Sequence, residues 1–377
     1  MKTTNKIWAL ALAASMLSFS SCQEDAILSE VEIQDAENSS VYEFPSDNIT
    51  QDLDDFAFIL SSSIGDKEIT KAIKEEALKM FDGDYDILYK DLRNKEVSKG
   101  NNFNQRMAVL SSNARMNNAR SQGRSIKQVA DSIAALYPNL QVSVPVNIEN
   151  WDADKYPPLI AICPNILEKD MKMIKAYDQS GKVHWLDAKE EPTNPVIVVG
   201  LSERTDGKGN LLKSFEKEIA PTNGRVRTNG FAEKVFQAYC YNLNTYEGWV
   251  HGAPELRVVI STGKVASIVD QTFDVGSRSD IKDSWWTAPA DLLFKWYRED
   301  YGDVAVYQWF EWDGNGDAVK LTGSVSYKDE SSKLTFTTGY EITYKKGDFD
   351  LGKKVVNYKD NSGQEYSIGW IKWKGYN

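Results

Sequence analysis

From Gly224 to its end the chain is cut into short apolar segments by clusters of Gly, Asp and Asn. Nine segments read as strands: 235–243, 256–262, 292–297, 304–312, 319–327, 333–338, 340–344, 354–358 and 366–373. Recurrence at roughly 8–12-residue spacing is the pattern of an antiparallel sandwich or barrel, in which each strand turns one face to a shared core. The block is almost entirely strand and turn, and no internal repeat divides it.

The half before it has another period. Phe56, Ile59, Leu60 and Ile64 recur at helical spacing, as do Ile69, Ile73, Ala77, Leu78 and Phe81. Gly65-Asp66 separates the two runs, and Asp66 stands where a helix cap belongs. Residues 85–92 fit a third short turn, and 94–124, heavy in Asn, Ser, Arg and Gly, read as a loop. Ser125 then caps a helix with Ile126, Val129, Ile133 and Leu136 on one face. Beyond Leu140 the period shifts toward two, at 141–148, 159–163, 182–186 and 195–201. The last of these is apolar enough to be buried on both faces. The fold class expected is α+β: N-terminal helices packed on a small mixed α/β unit over 51–223, then an antiparallel β-sandwich over 224–377.

At the start, Lys2 and Lys6 precede an apolar run from Ile7 to Leu17, followed by Ser20-Ser21-Cys22 and the acids Glu24-Asp25. This is the layout of a secretory signal over residues 1–21, with Cys22 as the acylated residue of a bacterial lipobox. An apolar run of about eleven residues is too short to span a bilayer, which needs roughly twenty. The expectation is a body held to the outer membrane by lipid, facing the exterior, with residues 22–50 as an acidic tether. The formal net charge is −11, and loss of Lys2 and Lys6 with the signal takes it to −13. Such a shell repels phosphate backbones, so nucleic acid is excluded as a partner. Cys163 and Cys240 remain, either joined in an oxidising compartment or separate as buried thiols.

No catalytic motif stands out. With His184 and His251 the only histidines, a His-rich metal site and a His-Glu-x-x-His protease site are both absent. Gly200-Leu201-Ser202-Glu203-Arg204 lacks the second glycine of a nucleophile elbow. Asp187 near His184 makes no triad without a serine to complete it. Asp313-Gly314-Asn315-Gly316-Asp317 is the best constellation, because alternate oxygens in a glycine-rich turn are how calcium is wrapped. Asp313, Asn315 and Asp317 are the candidate calcium ligands, with Glu311, Asp300, Asp303, Asp348 or Asp350 as further oxygens. Ala318 and Ser324 occupy the positions where an EF-hand has Gly and Glu, and the same residues also make an ordinary polar hairpin.

Aromatics form a second signal, with nine of eleven tryptophans at or beyond Trp185. On a strand, Trp309 shares a face with Tyr307 and Glu311, while Trp312 points the other way. An exposed face of this kind suits stacking on sugars or anchoring a protein; a covered one is core. Trp249, Glu255, Trp309 and Trp312 are the candidate ligand-binding residues, Glu255 also fitting a turn cap or ion pair.

Four stretches carry a family resemblance: Pro157-Pro158-Leu159-Ile160-Ala161, 181–187, 195–199 and Gly248-Trp249-Val250-His251-Gly252-Ala253-Pro254-Glu255-Leu256. They resemble a bacterial envelope family catalogued as domain of unknown function 3103, over roughly Phe56 to the C-terminus. The resemblance implies an envelope location and assigns no activity. Together these readings point to a lipid-anchored binding or structural protein with an unknown protein or glycan ligand, rather than an enzyme. The alternative is a carbohydrate-binding or glycan-processing protein using exposed tryptophans.

Overall fold

Side-chain caps set the helix starts of the N-terminal half. Asp47 accepts from the Thr50 amide to open Asn48–Ser61, and Asp66 accepts from Glu68 and Ile69 to open Lys67–Ala77. Ser125 and Gln128 form a reciprocal capping box at the start of Ile126–Leu136. A further helix, Phe103–Leu110, lies where the composition suggested a loop; Asn102 and Gln105 cap it, and Phe103 and Met107 are buried. The Asn102-x-x-Gln105 spacing is its local signal, outweighed by the polar residues around it. The first helix also begins inside the segment read as tether.

The computed structural model describes residues 44–113, 124–212, 226–289, 291–314, 316–328 and 335–376. Cys22, most of the 22–50 tether, and Asn315 lie outside them. Ile33–Asn377 cluster as one unit. No helix among the described residues is long and apolar enough to cross a membrane.

A six-stranded sheet runs in the order Asp86–Leu88, Leu140–Ser143, Val196–Leu201, Leu159–Ile162, Met173–Tyr177, Val183–Asp187. All its pairings are antiparallel except that between Leu159–Ile162 and Val196–Leu201, where Ile162 stands beside Val199. Alternation sorts the two sheet faces. Ile160, Ile162, Ile197 and Val199 share one buried cluster with Leu53, Phe56, Leu60, Ile73 and Ile133 of the helices. Ala161, Ile174, Val196 and Val198 share another with Trp249 and Val250. Val196–Val199 are accordingly buried on both faces.

The C-terminal half is antiparallel. One sheet has the order Val269–Asp274, Glu255–Thr262, Val304–Glu311, Phe349–Asn357. A second has Trp286–Thr287, Ala232–Cys240, Ile371–Tyr376 and Glu365–Ile368, with Leu292–Lys295 also paired to Ala232–Cys240. Leu256, Val258, Ile260, Tyr307 and Trp309 of the first share a buried cluster with Val235, Ala238 and Trp373 of the second. The Trp309 and Trp373 rings lie 5.4 Å apart, a contact worth about 0.5–1.5 kcal/mol beyond burial alone. Ala318–Lys328 and Thr335–Lys345 form a separate hairpin whose Tyr340 and Ile342 meet Val259 and Phe310 on the first sheet's other face. The sequence pattern breaks the chain at Gly339 and keeps 366–373 as one strand, and the structure reverses both. Thr335–Lys345 runs unbroken through Gly339, while Gly369 and Trp370 turn the chain between two strands.

Candidate functional site

The parallel pair of the mixed sheet ends at one edge, and that edge carries the chemistry. Cys163 directly follows Leu159–Ile162, its amide donating to the Val199 carbonyl at 2.9 Å. Glu203 lies two residues beyond Val196–Leu201. Parallel register delivers both side chains to the same end, the usual place for a ligand crevice in such sheets.

Against this edge stands the turn Gly248-Trp249-Val250-His251-Gly252. Trp249 is fully buried and its indole N–H donates to the Asp187 carbonyl at 2.9 Å, fixing the turn to the sheet. Both glycines are required by neighbouring carboxylates. A Cβ on Gly248 would lie 2.9 Å from Glu168 Oε1; one on Gly252, whose φ is +89°, would lie 2.5 Å from Asp84 Oδ2. Arg278 ties the turn from behind, donating to the carbonyls of Gly252 at 2.8 Å and Glu247 at 2.8 Å. The turn thereby places His251 Nε2 3.7 Å from Cys163 Sγ and His251 Nδ1 3.3 Å from Glu203 Oε1. Burial opposes charge on His251, yet Cys163 and Glu203 hold its imidazolium well above the ordinary range.

Beside this chain of groups is a knot of acids. Glu168, Glu247, Glu311 and Asp313 each offer an oxygen, and the four atoms lie within 4.8 Å of one another. Glu168 comes from the short turn between Leu159–Ile162 and Met173–Tyr177, where the Gly248 amide donates to it and Lys189 Nζ reaches it at 3.2 Å. Glu311 ends the strand that buries Tyr307 and Trp309 on the same face, which is why it is 0 % exposed. Both Glu311 oxygens and Glu247 Oε1 are buried without a hydrogen-bond partner. Burial pushes the Asp313 carboxyl up to about 8, helped by Glu203 and Glu168 and opposed by His251. Burial and the neighbouring acids raise Glu247 and Glu311 well above the carboxylate range.

A cavity of about 300 Å³ is lined in part by Cys163, Ser202, Glu203, His251, Trp312 and Asp313, so it opens on the Cys163–His251–Glu203 chain and meets the knot at Asp313. The Ser202 hydroxyl is buried and unpartnered there. That volume is at the lower end for small-molecule sites.

The residues singled out from sequence are distributed unevenly. Asp313 joins the acid knot, as does Glu311 from its group of supplementary oxygens. Asp317 is exposed, and its carbonyl accepts from the Lys346 amide at the open end of the Ala318–Lys328 and Thr335–Lys345 hairpin. Asp348 accepts from the Gly314 and Lys345 amides, so it shapes the loop from outside the knot. Trp249 and Trp309 are 0 % exposed; neither offers a ring for stacking, because Trp249 is packed into the cluster on one face of the mixed sheet and Trp309 into the cluster shared by the two C-terminal sheets. Trp312 is half-buried at the cavity wall. Glu255 is ion-paired with Arg204 Nε at 2.7 Å, both groups buried. Cys163 and Cys240 are free thiols, Cys163 half-buried by His251 and Cys240 deep in the other core. Glu168, Glu247, Cys163, His251 and Glu203 were not singled out as site residues, since no local spacing links them.

The fold and site define an α+β protein with a carboxylate-lined cavity at the end of a mixed sheet. Residues 72–302 match the family described as "Protein of unknown function (DUF3103)"; as this is more than half of the chain, the protein belongs to that family. The matched span is narrower than the Phe56-to-C-terminus extent of the resemblance, and it contains every residue of the Cys163–His251–Glu203 chain and the Glu168 and Glu247 part of the knot. Among curated proteins and among solved structures, nothing matches the chain.

Proposed function

We propose that this is a lipid-anchored surface protein of binding type, in which Glu168, Glu247, Glu311 and Asp313 hold a hard divalent cation beside the cavity that Asp313 lines. One observation carries the cation: three unpartnered, buried carboxylate oxygens in a four-acid knot no wider than 4.8 Å. Ionised carboxylates cannot share such a space unless a positive charge compensates them. Oxygens about 2.3–2.6 Å from one calcium ion span up to that width, and an all-carboxylate set selects a hard cation over zinc or copper. In the same reading the two C-terminal antiparallel sheets are the layers of a sandwich and the N-terminal helices cover the mixed sheet. The shared apolar clusters support both points.

The test is chemical unfolding with calcium or with chelator at neutral pH. Calcium at a hundredfold excess over its Kd should add about 2.7 kcal/mol. Glu311→Gln, which replaces a carboxyl held neutral by a neutral amide, should keep the chelated stability and lose the calcium increment. Asp317→Asn should keep both. Equal unfolding curves with calcium, magnesium, manganese and chelator would remove the cation.

Anchoring rests on the Cys22 signal, and Cys22→Ala should move the protein from the membrane to the soluble fraction; persistent attachment would refute it. A second reading, glycan recognition, is favoured by Trp312 beside Asp313 at the cavity wall, where an aromatic face and a cation would meet sugar hydroxyls. It requires a stability increment from some sugar in a panel, and only with calcium present.

A further inference from the structure

The geometry points to Cys163 as a thiol nucleophile for acyl transfer, with His251 as its general base and Glu203 positioning the imidazole. This goes beyond the cation-binding reading and rests on separate observations. Cys163 Sγ, His251 Nε2 and Glu203 Oε1 stand in the order nucleophile, base, orienting acceptor, with spacings of 3.7 Å and 3.3 Å. That is the arrangement activated nucleophiles share across unrelated folds, with distances often loose when no substrate is bound. All three line one cavity, together with the buried, unpartnered Ser202 hydroxyl. The turn carrying His251 is fixed by Trp249 below and Arg278 behind.

The substrate class is a small ester, thioester or amide that fits the cavity. His251 Nε2 holds the proton drawn from the Cys163 thiol as an imidazolium, and Sγ attacks the carbonyl carbon as the thiolate. The acyl–sulfur bond forms, the acyl–oxygen, acyl–sulfur or acyl–nitrogen bond breaks, and the leaving group receives the proton from Nε2. Water, deprotonated by the same nitrogen, then cleaves the thioester and restores the thiol. No electrons are exchanged and no further reactant is needed.

The test uses p-nitrophenyl acetate on the full chain, following nitrophenolate release and mapping acetylated peptides by mass. The expected result is a burst stoichiometric with protein and an acetyl group on the Cys163 peptide. His251→Asn should slow acetylation about 10²-fold, the usual worth of a general base. Cys240, buried and pushed up to about 12, is the internal control and should stay unmodified. If Cys163→Ser does not fold, iodoacetamide alkylation of the native protein supplies the same reading. Glu203→Gln should slow acetylation of Cys163 and move its pH profile downward together with the His251 imidazole titration seen by NMR, whereas a merely structural role would leave the acetylation profile in place. Acetylation of Cys163 no faster than in His251→Asn, or acetyl found only elsewhere, overturns the inference. Running each arm in chelator and in calcium keeps this result separate from cation binding.

Discussion

Asp82, Asp84 and Asp86 are buried around a guanidinium; Glu168, Glu247, Glu311 and Asp313 are buried around none. Arg204 enters the first group fully enclosed, donating to Glu255 at 2.7 Å and to the carbonyls of Asp82 at 3.2 Å and Ala253 at 3.1 Å. Burial works against its charge, but Glu255, Asp84, Asp82 and Asp86 together raise its affinity for the proton. Asp84 is also satisfied locally, accepting from the Tyr85 and Ala253 amides. In the second group, among the described residues, Lys189 is about one-third exposed and pairs with Glu168, and His251 favours ionisation of Glu247 and Asp313 from the side, while Glu311 is raised by burial and by the neighbouring acids. The two groups are chemically alike and lie on either side of the turn that carries His251. Their difference shows that this fold can supply an internal counter-charge where it needs one, which makes its absence beside Glu311 the informative feature.

The comparison breaks hardest at Arg204. Arg204→Met fills similar volume and removes the charge, leaving Glu255 and three aspartates uncompensated. Loss of one partner from a buried pair costs about 3–5 kcal/mol, so urea denaturation at neutral pH should show a fall of that size. A loss below about 1 kcal/mol would mean that the first group is held neutral by protonation instead, and the contrast between the two groups would disappear.

How far sequence reached can be judged from these same residues. Strand positions such as 304–312 and caps such as Asp66 and Ser125 were legible, because alternation and capping are local. Asp313, which the structure places in the acid knot, was singled out in a glycine-rich turn. Its partners were not, since Glu168 and Glu247 sit in short turns brought to it by the sheets and no spacing connects them. Cys163 and His251 are 88 positions apart, and His251 and Glu203 are 48 apart. The tryptophans misled for a related reason: a strand's alternation shows that two faces exist, and only tertiary packing decides that Trp309 and Trp249 are covered.

A smaller effect per unit of pH sharpens the contrast from the other side. In chelator, Asp313 carries its proton up to about pH 8 in the folded protein, while an unfolded aspartate releases it near pH 4. Between those values the native state binds the extra proton, so its stabilising contribution is full below the lower pKa and is lost as pH rises through the upper one. Each such carboxyl should give a slope of about −1.4 kcal/mol per pH unit across that window. Calcium reverses the preference, because it binds only the ionised carboxylates, and the slope from the knot should flatten as the ion replaces the protons. The aspartates near Arg204 are also raised by burial, and their part of the slope should persist in calcium, since among the described residues Asp82 Oδ2 is the one unpartnered carboxylate oxygen there and Arg204 already supplies the counter-charge. Unfolding curves at three pH values, with and without calcium and with Glu311→Gln, separate the two contributions. A slope equally steep in calcium and in chelator would place both acidic groups in the same class, neutralised by protons alone.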